Sequence, residues 1–365
     1  MITSEIIADS FNPAGNRLTT YILEYPRFIH AEIMTHRAFS KNAASSRAIP
    51  IEKMIQQVID NPAMPVFWGK NQSGMQANEE LDNINANFII EQEIKDCIGL
   101  VTGVERKRLT ALQWAKLEWI SARNKAIESV RQLDKLGLHK QIANRLLEPW
   151  FNIRIILSGT EFENFFALRA HKDAQPELQK LAYLMLEQYN NSTPKKLNPG
   201  EWHIPFGDNI DEWKLINTIS NELSNGQKAF TMTKLAAKQK VAIARCARIS
   251  YLNYEGKDDY AADIKLCDRL FGNNPKHLSP TEHVAQALDN SESFGNFRGF
   301  KQYRYFFNEQ NLKDNRVINK FNNLDADAPN YEADSEDDLD LDKCDQCGDL
   351  AWDGTICHHC GLKII

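Results

Sequence analysis

Residues 35–47 read THRAFSKNAASSR. They gather a histidine, two arginines, a lysine, an asparagine and three serines, and Phe39 is their only large apolar side chain. Ordinarily such a stretch is a capped, solvated helix end, because Ser, Asn and Thr satisfy free backbone groups there. It can also be an anion cradle. Two guanidinium forks and several hydroxyls beside exposed backbone N–H groups hold a phosphate by charge-assisted hydrogen bonds, and Arg47 and Ser45 have the chemistry for it. Composition alone leaves both open.

Upstream, SEIIADS (4–10) and NRLTTYILE (16–24) are β-prone runs around the turn-rich FNPAG, which predicts a hairpin. Pro26 opens RFIHAEIMTHR, where Phe28, Ile29, Ile33 and Met34 fall near helical spacing. The opening stretch therefore begins at the end of a short helix and continues into a loop. Downstream, residues 52–150 read as mostly helical. Leu112, Ala115, Trp119, Ala122, Ala126, Val130 and Leu133 form a core stripe ended by Gly137. FWGKNQSGMQ (67–76) either lines a pocket for a flat ring or plugs a loop against the body, and the plug is favoured. A helical block is expected over 158–190, with Asp173 as cap ahead of Pro176. ARCARISYL (244–252) reads as a β-like run, and HLSPTEHVAQAL (277–288) as a turn leading into another element.

With 365 residues, 42% of them hydrophobic, the chain can bury a sizeable core. No run approaches the roughly 20 apolar residues of a membrane span, and MITSEIIADSF lacks the order of a signal peptide, so the expected location is cytoplasmic. The net charge of −6 conceals an asymmetry: residues 322–342 carry nine acids and no Lys or Arg. Setting those nine aside leaves 40 acids against 43 bases, about +3. That balance suits a phosphate-bearing small molecule and is too weak for duplex nucleic acid. The acidic segment reads as a linker.

The tail CDQCGDLAWDGTICHHCG holds two Cys-x-x-Cys-Gly knuckles. Cys344, Cys347, Cys357 and Cys360 can close a tetrahedron of thiolates around Zn²⁺, and a shell of four sulfurs leaves no open position, so the zinc is expected to be structural. Such a zinc ribbon commonly stabilises or mediates contacts, here with protein or nucleic acid. Cys97, Cys246 and Cys267 are scattered and read as buried small hydrophobes.

His36, Arg37, Ser40, Asn42, Ser45 and Arg47 stand at the positions of the pattern R-H-R-x-x-S-x-N-x-x-S-x-R, and the stretch resembles the flavin-dependent thymidylate synthases. With each residue type near about 5% of usage, six fixed matches arise roughly once in 10⁸ starting points, so the pattern is specific. LHKQIANRLLEP (138–149) is similar to the family segment ending A-R-x-x-L-P, with Arg145 at its nucleotide-binding arginine. NFFALRAHKDAQPE (164–177) resembles N-F-L-x-L-R-x-x-x-x-A-Q-x-E, with Asn164 and Arg169 at the family's positions. ARISY and HLSPTEH resemble A-A-R-V-S-Y and H-x-S-P-F-E-H, with His283 at the flavin-site histidine.

Those last two segments belong near the family's amino end yet follow the others here, which implies a circularly permuted version. FRGFKQYR (297–304) is expected to form a second basic helix beside the junction. The resemblance implies an α+β fold of mixed helices and antiparallel sheet. Residues 1–310 would form the catalytic domain with a helical insertion over about 52–137, 311–342 the acidic linker, and 343–365 the zinc ribbon.

It further implies that FADH₂, methylenetetrahydrofolate and dUMP meet at one site, that NADPH reduces the flavin, and that no cysteine nucleophile is used. Ser45, Arg47 and Arg145 would take the nucleotide phosphate, and Arg169 would face the pyrimidine as the catalytic residue. His36, Arg37, Asn42, Asn164 and His283 would serve the flavin, in a homotetramer whose sites lie between subunits. Three departures matter: Thr35 for an arginine, Glu32 for a glutamine, and Asp173 for a histidine that His171 would replace. These departures keep two alternatives open, a dCMP or dUMP methylase or hydroxymethylase, and a non-catalytic nucleotide- or nucleic-acid-binding protein.

Overall fold

The computed structural model describes residues 1–81, 88–95, 101–250, 258–273 and 276–307. All of them lie in the first of two units into which the chain divides, residues 1–310. The acidic segment and Cys344, Cys347, Cys357 and Cys360 fall outside the described residues, as does Cys97.

The predicted hairpin forms from β1 (Thr3–Phe11) and β2 (Arg17–Pro26), paired antiparallel. Gly15 adopts φ +84°, which the turn requires and a side chain would disfavour. After α1 (His30–Met34), β3 (Ser40–Ala43) forms a short strand within the stretch expected as loop. α2 (Ile51–Asp60) precedes a hairpin of β4 (Phe88–Lys95) and β5 (Val101–Leu109). That hairpin corrects the expectation of a mostly helical stretch over 52–150: the strand opens on Phe88-Ile89-Ile90, residue types that favour extended backbone.

α3 (Ala111–Lys135) starts on a capping box between Thr110 and Gln113. Its stripe buries Ile127 and Val130 completely, with Trp119, Ala126 and Leu133 packed beside them. α4 (Lys140–Ala143) runs into a 3₁₀ turn, Asn144–Trp150, and then β6 (Asn152–Gly159). α5 (Glu163–Arg169) and α6 (Pro176–Asn191) follow. The cap of α6 is Gln175, not Asp173, because its side chain accepts from Leu178 N at 2.8 Å and places Pro176 at the first helical position.

β7 (Lys195–Lys196) and β8 (Trp202–His203) lead to α7 (Glu212–Ser224), α8 (Lys234–Ile249) and α9 (Tyr260–Gly272). The β-like run expected at 244–252 is thus helical through Ile249. The remaining strands are β9 (Ala285–Ala287), β10 (Ser293–Phe294), β11 (Phe297–Arg298) and β12 (Phe300–Gln302). They replace the helix expected at FRGFKQYR: Gly299 has φ +74°, and a Cβ there would collide with the side chains of Asn12 and Asn16.

The main sheet has the order β3-β6-β2-β1-β7, antiparallel except for β1 beside β7. Strict alternation along β2 and β6 assigns its two faces. Tyr21, Leu23, Tyr25, Ile153, Ile155 and Leu157 join the large core under α2, α3, α5 and α6. On the other face, Ile22 and Ile156 pack with Phe206, Cys246 and Ile249. The sheet is therefore sandwiched between helical layers, with α8 and its neighbours covering the second face. Asn12 ties the tip of the β1–β2 hairpin to this second layer by donating to the carbonyls of Leu288, Asn290 and Gly299 at 3.2, 2.9 and 3.0 Å.

Candidate functional site

α1 ends where Thr35 N and Oγ1 both donate to Glu32 O, at 3.2 and 2.6 Å, and His36 N donates to Ile33 O at 3.3 Å. This turn presents His36 beside α5. The His36 ring stands edge-on to Phe165 at 5.0 Å, and Arg169 Nε donates to His36 Nε2 at 3.0 Å. Nε2 must therefore be unprotonated. Burial, then the charges of Arg169 and Lys41, hold His36 down at about 4. Arg37 is exposed next to it, and Asn164 is exposed in the first turn of α5.

Lys41 was not singled out in the sequence, where it occupies a variable position of the pattern. Its Nζ donates to Ile33 O at 3.2 Å and His36 O at 2.6 Å, closing the turn that carries His36 and Arg37, and burial lowers its pKa to about 8. The signal was the alternation Ser40-Lys41-Asn42, which puts the lysine on the strand face opposite two buried polar residues. Ser40 accepts from Gln302 Nε2 at 3.0 Å and Asn296 Nδ2 at 3.1 Å, so the second layer holds β3 in place. Asn42 is buried opposite Ile156.

At the far end of β3, three remote segments meet. Ser45 N donates to Ser250 O at 2.9 Å, at the end of α8. Asn144 Nδ2 donates to Ser46 O at 2.8 Å and Ile49 O at 2.9 Å, which clamps the 45–49 loop onto the turn bearing Arg145. Ser46 Oγ and Arg145 Nη1 both donate to Glu148 Oε1, at 2.7 and 3.0 Å, and Arg27 Nη2 lies 3.8 Å from Glu148 Oε2. Arg47 is exposed and makes no ion pair among the described residues. Ser45, Arg47 and Arg145 are thus brought to one corner, together with Arg27, Ser46 and Glu148, which sequence reasoning did not select. The His36–Arg169 cluster precedes β3 in the chain and this corner follows it, so the strand links the two.

His283 lies elsewhere, buried on the sheet face opposite α5. Its Nδ1 is 2.8 Å from Ser158 Oγ, which is 2.7 Å from Thr20 Oγ1. Thr20 Oγ1 is 2.8 Å from His203 Nε2, and His203 Nδ1 is 3.0 Å from Ser10 Oγ. Burial pushes His203 down to about 4 and His283 to about 3, the latter also disfavoured by His203. Both rings are therefore neutral, and His283 Nε2 is a buried atom with no partner among the described residues. His283 thus sits behind β3, since Ser158 pairs with Ser40.

Of the departures from the pattern, Thr35 and Glu32 build the turn that presents His36, and Asp173 lies with His171. His171 and Asp173 form an exposed pair at 3.6 Å. Glu32 is raised, by burial first and by Glu177 against the opposing pull of Arg169. The 67–76 loop behaves as a plug: Val66 N donates to the buried Glu177 at 2.6 Å, Gln76 donates to Asp173 O, and Trp68 packs edge-on to Trp119 at 6.3 Å. A depression of about 560 Å³ between α2 and α3, lined by Ile59, Arg123, Ile127 and Arg131, contains none of the pattern residues. Among the described residues no cluster of three metal-ligating side chains occurs, and no helix is long and apolar enough to cross a membrane.

A family model described as thymidylate synthase complementing protein matches residues 16–195. Among solved structures, the chain is similar to a UMP/dUMP methylase, PolB, from Streptomyces cacaoi bound with 5-Br dUMP. The match has 14% identity and a TM-score of 0.36, and covers 52% of this chain and 90% of that one. The same protein bound with 5-Br UMP matches at 16% identity and a TM-score of 0.32, covering 52% and 88%. No curated protein matches the chain by sequence.

Proposed function

Through residues 16–195 this chain belongs to the thymidylate synthase complementing protein family, and from that premise we propose that it is a flavin-dependent thymidylate synthase, transferring a one-carbon unit from methylenetetrahydrofolate to C5 of dUMP. The observation that carries the proposal is the corner at the end of β3, where the loop bearing Ser45 and Arg47 is held against the turn bearing Arg145 by bonds from the Asn144 side chain to the carbonyls of Ser46 and Ile49. Guanidinium forks and hydroxyls in a preset loop are the donor set for a phosphate monoester.

The residues of the second cluster fit FAD. Arg37, Arg169 and Asn164 supply N–H donors for its diphosphate and ring carbonyls, and Arg37 and Asn164 are exposed. When bound, FAD would supply the hydride that completes the methyl group, after reduction by NADPH. His36 and Arg37 would orient it, with Lys41 fixing their turn and Asn42 supporting the strand behind. Arg169 would face the pyrimidine and stabilise charge developing on the ring. His283, with Nε2 unpartnered behind β3, is assigned to the same cofactor.

The exposed side chains of Met34, Ile142, Leu146 and Leu168 flank the pattern segments with apolar surface that a neighbouring copy of the chain would cover. We therefore assign a homotetramer. The packing of α8 against β3 and β6 supports the circular permutation, since the segment following the family match supplies the layer behind the motif. The cysteine knuckles are proposed to form a structural zinc ribbon that contacts protein or nucleic acid.

Tritium release from C5 of labelled dUMP, with reduced flavin and methylenetetrahydrofolate present, tests the proposal. Release from dUMP with dTMP as product is expected. Release from dCMP alone, or a hydroxymethyl product, would identify the alternative enzyme. A protein that takes up no FAD and releases no tritium would be the nucleotide- or nucleic-acid-binding form.

A further inference from the structure

The corner assigned to the nucleotide phosphate already holds an anion. Glu148 Oε1 accepts from Arg145 Nη1 at 3.0 Å and from Ser46 Oγ at 2.7 Å, and its Oε2 lies 3.8 Å from Arg27 Nη2. One oxygen taking a guanidinium and a hydroxyl, with a second guanidinium behind the other, is the set of contacts a phosphate oxygen pair would make. The Arg145 side chain is 52% exposed and that of Glu148 is 20% exposed. The Arg145–Glu148 pair, three residues apart and half-exposed at its arginine, contributes little to stability by itself, while the Ser46 bond to the same carboxylate ties the 45–49 loop to the turn.

Asn144 fixes the 46–49 loop by two bonds, and Pro149 restricts the backbone of Glu148. Rotation of the Glu148 side chain toward solvent is the motion that frees Arg145 and Ser46 without moving either backbone.

We propose that Glu148 is an internal stand-in for the substrate phosphate. It holds Arg145 and Ser46 in place while the corner is empty, and an incoming phosphate displaces it. This rests on the assignment of that corner to the phosphate. A phosphate monoester carries close to two negative charges at neutral pH against the single charge of the carboxylate, so the exchange favours the ligand. A nucleoside without phosphate leaves Glu148 where it is. Nucleotide affinity is therefore set by the carboxylate it displaces, and removing that charge tightens binding.

Calorimetric titration of the full chain with inorganic phosphate, dUMP and deoxyuridine tests this, comparing the natural protein with Glu148→Gln, Glu148→Asp and Arg145→Ala. Glutamine keeps the size and removes the charge. Phosphate and dUMP are expected to bind Glu148→Gln about tenfold or more tightly than the natural protein, with deoxyuridine unchanged. Glu148→Asp, which retracts the carboxylate by one methylene, is expected to fall between them and serves if the glutamine variant does not fold. Unchanged or weakened phosphate binding in the folded Glu148 variants overturns the stand-in. If Arg145→Ala still weakens dUMP binding in that case, the phosphate corner survives and only Glu148's role falls. If Arg145→Ala leaves phosphate and dUMP binding untouched, the corner is not a phosphate site and both fall.

Discussion

Arg169→Ala is expected to lower kcat for dUMP methylation by about 10²–10³-fold, the loss typical of removing a preset charge that faces the developing anion. Arg169 occupies the last turn of α5, where a cation is favoured by the helix dipole but not required by packing, so the variant is expected to fold. The consequence extends to its partner. Arg169 Nε donates to His36 Nε2, and its charge, after burial, helps hold His36 at about 4. Without it, His36 rises part of the way toward its ordinary value of about 6.5, with burial, the larger cause, and Lys41 still opposing a proton. The acid limb of the kcat profile should therefore shift upward. Arg169→Lys keeps a charge but loses the fork, and most of the defect should persist. Steady-state kinetics across about pH 5.5–7.5, a window set by roughly a unit either side of the histidine reference value, would check both features. A loss under tenfold with an unmoved acid limb would remove Arg169 from the chemistry.

Stability is expected to collapse in acid through the buried histidine line. His203 and His283 are wholly buried and depressed to about 4 and about 3. Between about pH 6.5 and those values the unfolded chain takes up protons that the folded chain refuses. The stabilisation is thus complete above about pH 6.5 and is lost as the pH falls through that window. Two protons correspond to a slope approaching about 2.7 kcal/mol per pH unit, against a typical total of about 5–15 kcal/mol. Urea unfolding at stepped pH should show that slope, and His283→Gln should reduce it by about half. A variant with the slope of the natural protein would mean that neither burial nor the Ser158 contact governs His283.

How far the sequence could be read depended on whether a segment shows one face or two. The β1–β2 hairpin, α1 and α3 were legible because turn residues, Pro26 and a one-sided apolar stripe announce them. α8 was misread as a strand over 244–252 because it is buried on nearly every side: Val241 through Ala247 and Ile249 are all buried, and a continuous apolar run has no period to read. FRGFKQYR was misread because Gly299 serves a close approach to Asn12 and Asn16, nearly 300 positions away in sequence.

For the candidate site, the pattern identified the residue types, and Arg145 and Arg169 by resemblance, but not their division between the two ends of β3. Glu148, Ser46 and Arg27 act through contacts between remote segments, which no local spacing encodes, whereas Lys41 was open to the alternation along β3. His283 reads as a site residue in HLSPTEH, yet its burial follows from Ser158 and Thr20 on two other strands.

The central proposition is that one site seats a pyrimidine monophosphate against a flavin. The most direct measurement is the absorbance of the FAD-loaded protein during titration with dUMP. The flavin bands should shift, saturate with dUMP, and cease to respond in Arg47→Ala at the same nucleotide concentrations. A fully loaded flavoprotein that binds dUMP by calorimetry while its flavin spectrum stays unchanged would contradict it.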